Sequence, residues 1–247
     1  MRNHLSLRSG NPALNKNTFK GLHAHNNQIM TIDGTVNKTS LALIILLLSS
    51  YYTYSTSNTN FIFMGMIAGV ILAIATIIKK QWAPITVPLY AICQGLALGG
   101  ISAIYDNMYT GIVQQAIFLT FGIFTALLFA YKTKIIRATE NFKLGVFAAT
   151  GGIAIVYFIS FIMSFFGSGL SIMNIQNASM VSIGFSFFVV IIASLNLVLD
   201  FDFIEEASEA GVPKYMEWYA TFGLLITLIW LYLEILRLLA KLQSRRN

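Results

Sequence analysis

Carboxylates are the residues on which this chain could build chemistry. It has ten Asp and Glu among 247 residues. The stretch NLVLDFDFIEE, Asn196 to Glu206, sets Asp200 and Asp202 at the end of a strongly apolar run, just before Glu205 and Glu206. A second apolar run, WLYLEILRLL, encloses Glu234. A charge at bilayer depth costs a few kcal/mol even on lenient insertion scales, so such a group must be paired, protonated or solvated. Burial disfavours the charged form of a carboxyl, and a second carboxyl close by disfavours it further, so a pair can hold one proton between them. Loss of that proton creates repulsion, a cation site, or both. The chemistry open to these residues is a proton-controlled cation pathway.

Helical spacing gives the carboxylates a setting. Ser182, Ser186, Val189, Ala193, Asn196 and Asp200 recur at steps of three and four, which places them on one face of a helix. That face is small or polar and ends in a carboxylate, so it should turn to the protein interior or to a wet cavity. Ala220, Gly223, Thr227, Trp230, Glu234, Arg237 and Lys241 form a comparable face on the next segment. Plainer readings compete. Glu234 could pair locally with Arg237 at i+3 or snorkel to the interface. Asp200 could be a helix-end carboxylate in headgroup water. Asp202, Glu205, Glu206 and Glu209 read as a solvated face.

Other chemistries lack their residues. The three histidines, His4, His23 and His25, all fall in the N-terminal tail, so a Ser–His intramembrane protease has no base, and His-Ala-His at 23–25 is a weak metal motif. No Gly-x-Gly-Asp precedes an intramembrane aspartate, no lysine lies within the last apolar segment to carry a Schiff base, and no Gly-rich phosphate loop is present. The single cysteine, Cys93, cannot form an intramolecular disulfide and reads as a small packing residue. The chain is not expected to be an enzyme or to hold a cofactor; Ca2+ or H+ would be the ion carried or sensed.

The elements that must position these groups are membrane helices. Hydrophobic types make up 56% of the chain and charged types 11%, against about 25% charged in soluble domains. Mean hydropathy is +0.70. Seven apolar segments stand at roughly 40–54, 61–78, 85–105, 111–131, 144–166, 179–200 and 217–239. The fold class is an all-α polytopic membrane protein, with a polar basic tail over 1–38 and a membrane domain over 39–247. The tail has no apolar h-region, so the first hydrophobic run is expected to be an anchor rather than a cleaved signal. Gly65 with Gly69, and Gly95 with Gly99, have the spacing that lets helix backbones approach closely in lipid, and Gln94 beside them can cross-link helices.

The net charge of +6 reflects orientation rather than nucleic-acid binding. The tail and the even-numbered loops carry the cations, among them Lys79, Lys80, Lys132, Lys134 and Arg137, while the loops at 55–60 and 167–178 are uncharged. This places the N-terminus in the cytoplasm. Seven crossings then send Arg237, Lys241, Arg245 and Arg246 to the opposite side, so either the seventh helix inserts against the positive-inside rule or one late segment does not cross fully.

Four stretches together resemble the Bax inhibitor family, specifically its bacterial YccA-like branch: YAICQGLALGGISAIYD, GIVQQAIFLTFGIF, LNLVLDFDFIEEASEAGVPKYMEWYATFGLL and WLYLEILRLLAKL. The resemblance spans about 40–243. It implies six helices around a central seventh, in a bacterial cytoplasmic membrane. It also implies a pH-dependent calcium leak controlled by acids on helices six and seven. Asp200 takes the place of the first acid and Glu234, in LYLE, that of the second, as candidate Ca2+ ligands; Asp202 adds a carboxylate where the family often has an amide, and Asn196 could add an oxygen. Glu234 replaces the usual aspartate. With helix seven starting at Met216, Glu234 lies about 27 Å along it, so a pair with Asp200 requires a shifted helix or one broken near Gly223, and Glu217 is the rival partner. The alternatives are a non-conducting regulator that binds a membrane protease or quality-control complex, and a proton-coupled transporter.

Overall fold

The computed structural model describes residues 29–167 and 169–246. Among them run seven α-helices: α1 (Ile32–Thr56), α2 (Asn60–Ile78), α3 (Ala83–Met108), α4 (Ile112–Lys132), α5 (Glu140–Ser164), α6 (Met180–Glu209) and α7 (Met216–Arg246). All seven carry windows long and apolar enough to cross a membrane. Large apolar side chains face outward on them, including Phe63, Ile85, Phe118 and Phe158. On a soluble monomer such surfaces would aggregate; in a bilayer they meet lipid. The windows of α3, α6 and α7 are at least half buried, whereas those of α1, α2, α4 and α5 are mostly open. His4, His23 and His25, and most of the basic tail, lie outside the described residues.

One helix boundary, the start of α1, corrects the sequence reading. The polar tail was expected to run through residue 38, but α1 begins at Ile32 and takes in Asp33 and Lys38. Thr31 caps it: its backbone is extended and its hydroxyl accepts the Gly34 N–H at 3.0 Å. The apolar run of segment six ends at Asp200, yet α6 continues to Glu209. Asp200 is therefore not a helix-end carboxylate. Hydropathy marks where lipid ends, and a helix can run on past it.

The chain forms two compact units, to which both α6 and α7 contribute. In the unit built from 13–108 and 202–226, glycines set the packing. A side chain at Gly65 would meet the Cys93 carbonyl, one at Gly69 the Gln94 amide, one at Gly95 the Leu46 carbonyl and Ser49, and one at Gly99 the Ser50 carbonyl. The pairs predicted from spacing thus join α2 to α3 and α1 to α3 at backbone distance. Tyr90 and Phe222 stack edge-on at 5.0 Å, and Tyr54 donates to Asp106 at 2.9 Å.

The other unit includes 109–201 and 227–247. Ile153, Val189 and Ile192 form its buried cluster, with Tyr157, Phe185 and Trp230 against it. Phe201 closes on Phe124 and Tyr131 at 5.7 and 5.9 Å. α7 is one unbroken helix of 31 residues, without the break near Gly223 that would have been one route to a direct Asp200–Glu234 pair.

Gly99→Ala should therefore lower stability in detergent by about 1–3 kcal/mol, because the Ser50 backbone must move. Gly122→Ala, on an exposed helical face with open space at its Cβ, should be neutral. Thermal unfolding of the two variants beside the parent checks the contrast.

Candidate ion-pathway carboxylates

The α6 face predicted from spacing is buried throughout: Ser182, Ser186, Val189, Ala193, Asn196 and Asp200 are each at most 1% exposed. Asn196 ties this face to α5, donating to Thr150 Oγ1 at 2.9 Å and to the Ile192 carbonyl at 2.8 Å. Asp200 is wholly enclosed about two turns before α6 ends. Asp202 is half-buried in the other unit, while Glu205 and Glu209 are exposed and form the wet end of the helix.

Glu234 is also buried, and its neighbours account for its charge. Its Oε1 accepts from the Tyr157 hydroxyl at 2.6 Å, and Arg237 Nη1 donates to both carboxylate oxygens at 2.8 and 2.9 Å. The same Arg237 nitrogen reaches Tyr157 Oη at 2.9 Å. An acid, a base and a phenol thus form a closed triangle in which the i+3 spacing supplies the ion pair. This is the plainer of the two sequence readings for Glu234. Tyr157 was not singled out from sequence, because a tyrosine in an apolar α5 carries no periodic signal.

Register separates Glu234 from Asp200. Lys241 touches Ser182 and Ser186, which sets α7 against α6 in antiparallel order. Counting back along both helices, Glu234 stands level with about residue 191, and Asp200 lies roughly 14 Å further along. Their side chains cannot bridge that span. Among the described residues there is no cluster of three or more His, Cys, Asp or Glu side chains that could hold a metal.

Glu217, the rival partner, is fully buried in the first turn of α7 and is engaged with the start of α1. It accepts from the Thr31 N–H and hydroxyl, both at 3.0 Å, and pairs with Lys38. Gly34 lies so close to its carboxylate that a Cβ would overlap it. Backbone pairing adds to this junction: Met30 N–H donates to the Val212 carbonyl at 2.8 Å. Neither Thr31 nor Lys38 was flagged from sequence. Both lie 179 residues or more from Glu217 along the chain, and only tertiary structure brings them to it.

The basic end of α7 is drawn inward as well. Arg237 is taken up by Glu234, and Lys241 is completely buried, its amine on oxygens of Ile172, Ser182 and Ser186. Positive-inside counting treats each cation as free, whereas two of these four are held by the protein.

Seven membrane-length helices, with enclosed carboxylates on the last two, define a polytopic helical membrane protein. The chain matches the Bax inhibitor 1 like family over residues 11–244 and belongs to that family. Among curated proteins no significant match is found.

Breaking the α1–α7 junction should destabilise the protein. Glu217→Gln and Lys38→Met should each cost about 1–3 kcal/mol, less than the roughly 3–5 kcal/mol of a wholly buried pair, because Lys38 is 20% exposed. In a double-mutant cycle by thermal unfolding, the double variant should lose less than the sum of the two single losses, whereas independent effects would add fully.

Proposed function

We propose that this protein is a pH-sensitive cation leak of the bacterial cytoplasmic membrane, passing Ca2+, with Asp200 as its proton-sensing carboxylate. The observation that carries the reading is the complete burial of Asp200 inside a membrane helix, at the end of a polar face that includes Ser186 and Asn196. A carboxyl removed from water changes the local field strongly when it gains or loses its proton. Hydroxyl, amide and backbone oxygens along that face could offer partial coordination to a passing ion, with water completing the six to eight oxygens that calcium takes. Membership of the Bax inhibitor 1 like family and the resemblance to its YccA-like branch support the same reading.

Glu234 has a different role in this proposal. Arg237 balances its charge and Tyr157 fixes its position. It acts as a static element that anchors α5 to α7, and proton sensing falls to Asp200.

The test is Ca2+ flux into proteoliposomes loaded with a fluorescent indicator, across external pH from about 6 to about 8. The parent protein should show flux that depends on pH. Asp200→Asn, which keeps the shape and removes the titration, should lose that dependence while unfolding at a similar temperature. Glu234→Gln should keep the pH dependence and lower stability instead. An unchanged pH profile in Asp200→Asn would exclude Asp200 as the sensor.

A further inference from the structure

The Lys241 amine is an enclosed cation whose three observed partners are all neutral oxygens. Its Nζ donates to the Ile172 carbonyl at 2.6 Å, Ser186 Oγ at 2.8 Å and the Ser182 carbonyl at 3.2 Å. The ammonium has three donors, and three oxygens receive them. Two segments supply those oxygens: the short 3-10 turn Ser171–Met173 and the first turns of α6. Ser182 Oγ also donates to the Ile172 carbonyl at 3.1 Å, which holds the turn on the helix independently of the lysine.

A lysine near the end of a membrane helix ordinarily extends its stem to the interface and keeps its charge in water. Lys241 turns inward and is 0% exposed. The charged groups within electrostatic reach are Arg237 and Glu234, which neutralise each other. Carbonyl and hydroxyl dipoles therefore hold the ammonium in place of a counter-ion. Carbonyl-lined sites replace the hydration shell of an alkali cation by the same means. Calcium favours carboxylates among its oxygens, so a neutral set suits a monovalent ion, with water completing its shell.

We propose that the oxygens of Ile172, Ser182 and Ser186 form an alkali-cation site, which the Lys241 ammonium occupies as a tethered cation. The lysine keeps K+ and Na+ out of one end of the α6 face that leads to Asp200. When its amine is removed, the site takes an alkali ion. The site shares Ser186 with the face proposed above, but its test stands apart from the calcium leak, because it reads ion binding and not flux or pH response.

The experiment is thermal unfolding of purified full-length Lys241→Ala in detergent, with KCl or NaCl against N-methyl-D-glucamine chloride at equal ionic strength. Ion binding to the folded state alone should raise the unfolding temperature by several degrees between about 1 mM and about 100 mM KCl or NaCl. The bulky organic cation should have no such effect, and the parent should respond to none of the salts. Adding Ser186→Ala to the variant should shift the salt response several-fold to higher concentration. Lys241→Gln is the second variant, should the alanine form be poorly folded. Recovery of either variant by alkali salt alone supports the site. An equal response to all the salts in both variants, or failure to fold in every salt, overturns it and leaves Lys241 as a loop cap.

Discussion

A low-dielectric surrounding with no water to solvate a stray charge is the constraint on which this structure depends. Each enclosed charge then needs partners within the protein. Three such solutions are visible. Glu217 is met by Lys38 and Thr31, Glu234 by Arg237 and Tyr157, and Lys241 by carbonyl and hydroxyl oxygens. Each also joins elements far apart in sequence: α1 to α7, α5 to α7, and the α5–α6 connection to the end of α7. Without an appreciable hydrophobic force between helices in lipid, contacts of this kind and close glycine packing are what remain to specify the assembly.

The same constraint separates the carboxylates by role. An acid with a cation beside it is fixed in charge and serves as a joint. Glu217 and Glu234 are of this kind, and replacing one partner of either leaves the other exposed to the desolvation cost. Asp200 stands apart because it lies about 14 Å from Glu234 along the packed pair of helices, and it closes a face whose other members are serines, an asparagine and small apolar residues. Glu217 and Glu234 are each ion-paired, and Asp200 is enclosed on the α6 face.

Family membership and the site geometry inform different questions. The match over residues 11–244 assigns the chain to the Bax inhibitor 1 like family. Transport, by contrast, rests on what enclosed side chains can do, since a fold can host more than one activity. The Glu234–Arg237–Tyr157 triangle shows why residue-by-residue transfer needs geometry: the position that matches the family's second acid carries an arginine one turn later, and that neighbour changes what the acid can do.

Much of the architecture was legible from composition and periodicity. Seven apolar runs forecast seven helices, since a spanning segment must satisfy its own backbone and has few other ways to do so. The spacing of Gly65, Gly69, Gly95 and Gly99 forecast close backbone contacts, and the three-and-four spacing from Ser182 to Asp200 forecast a buried face, because both signals lie within single helices. The starts and ends were less legible. Ile32–Lys38 joined α1 because Thr31 caps the helix and Glu217 receives Lys38, and the second of these is not local. Partner choice was decided by tertiary structure alone. Which acid meets Arg237, which meets Lys38, and what holds Lys241 depend on how helices lie beside one another. One sequence fixes the spacing of charges along each helix, but the register between helices comes from packing, and that register sets which charges are close enough to pair.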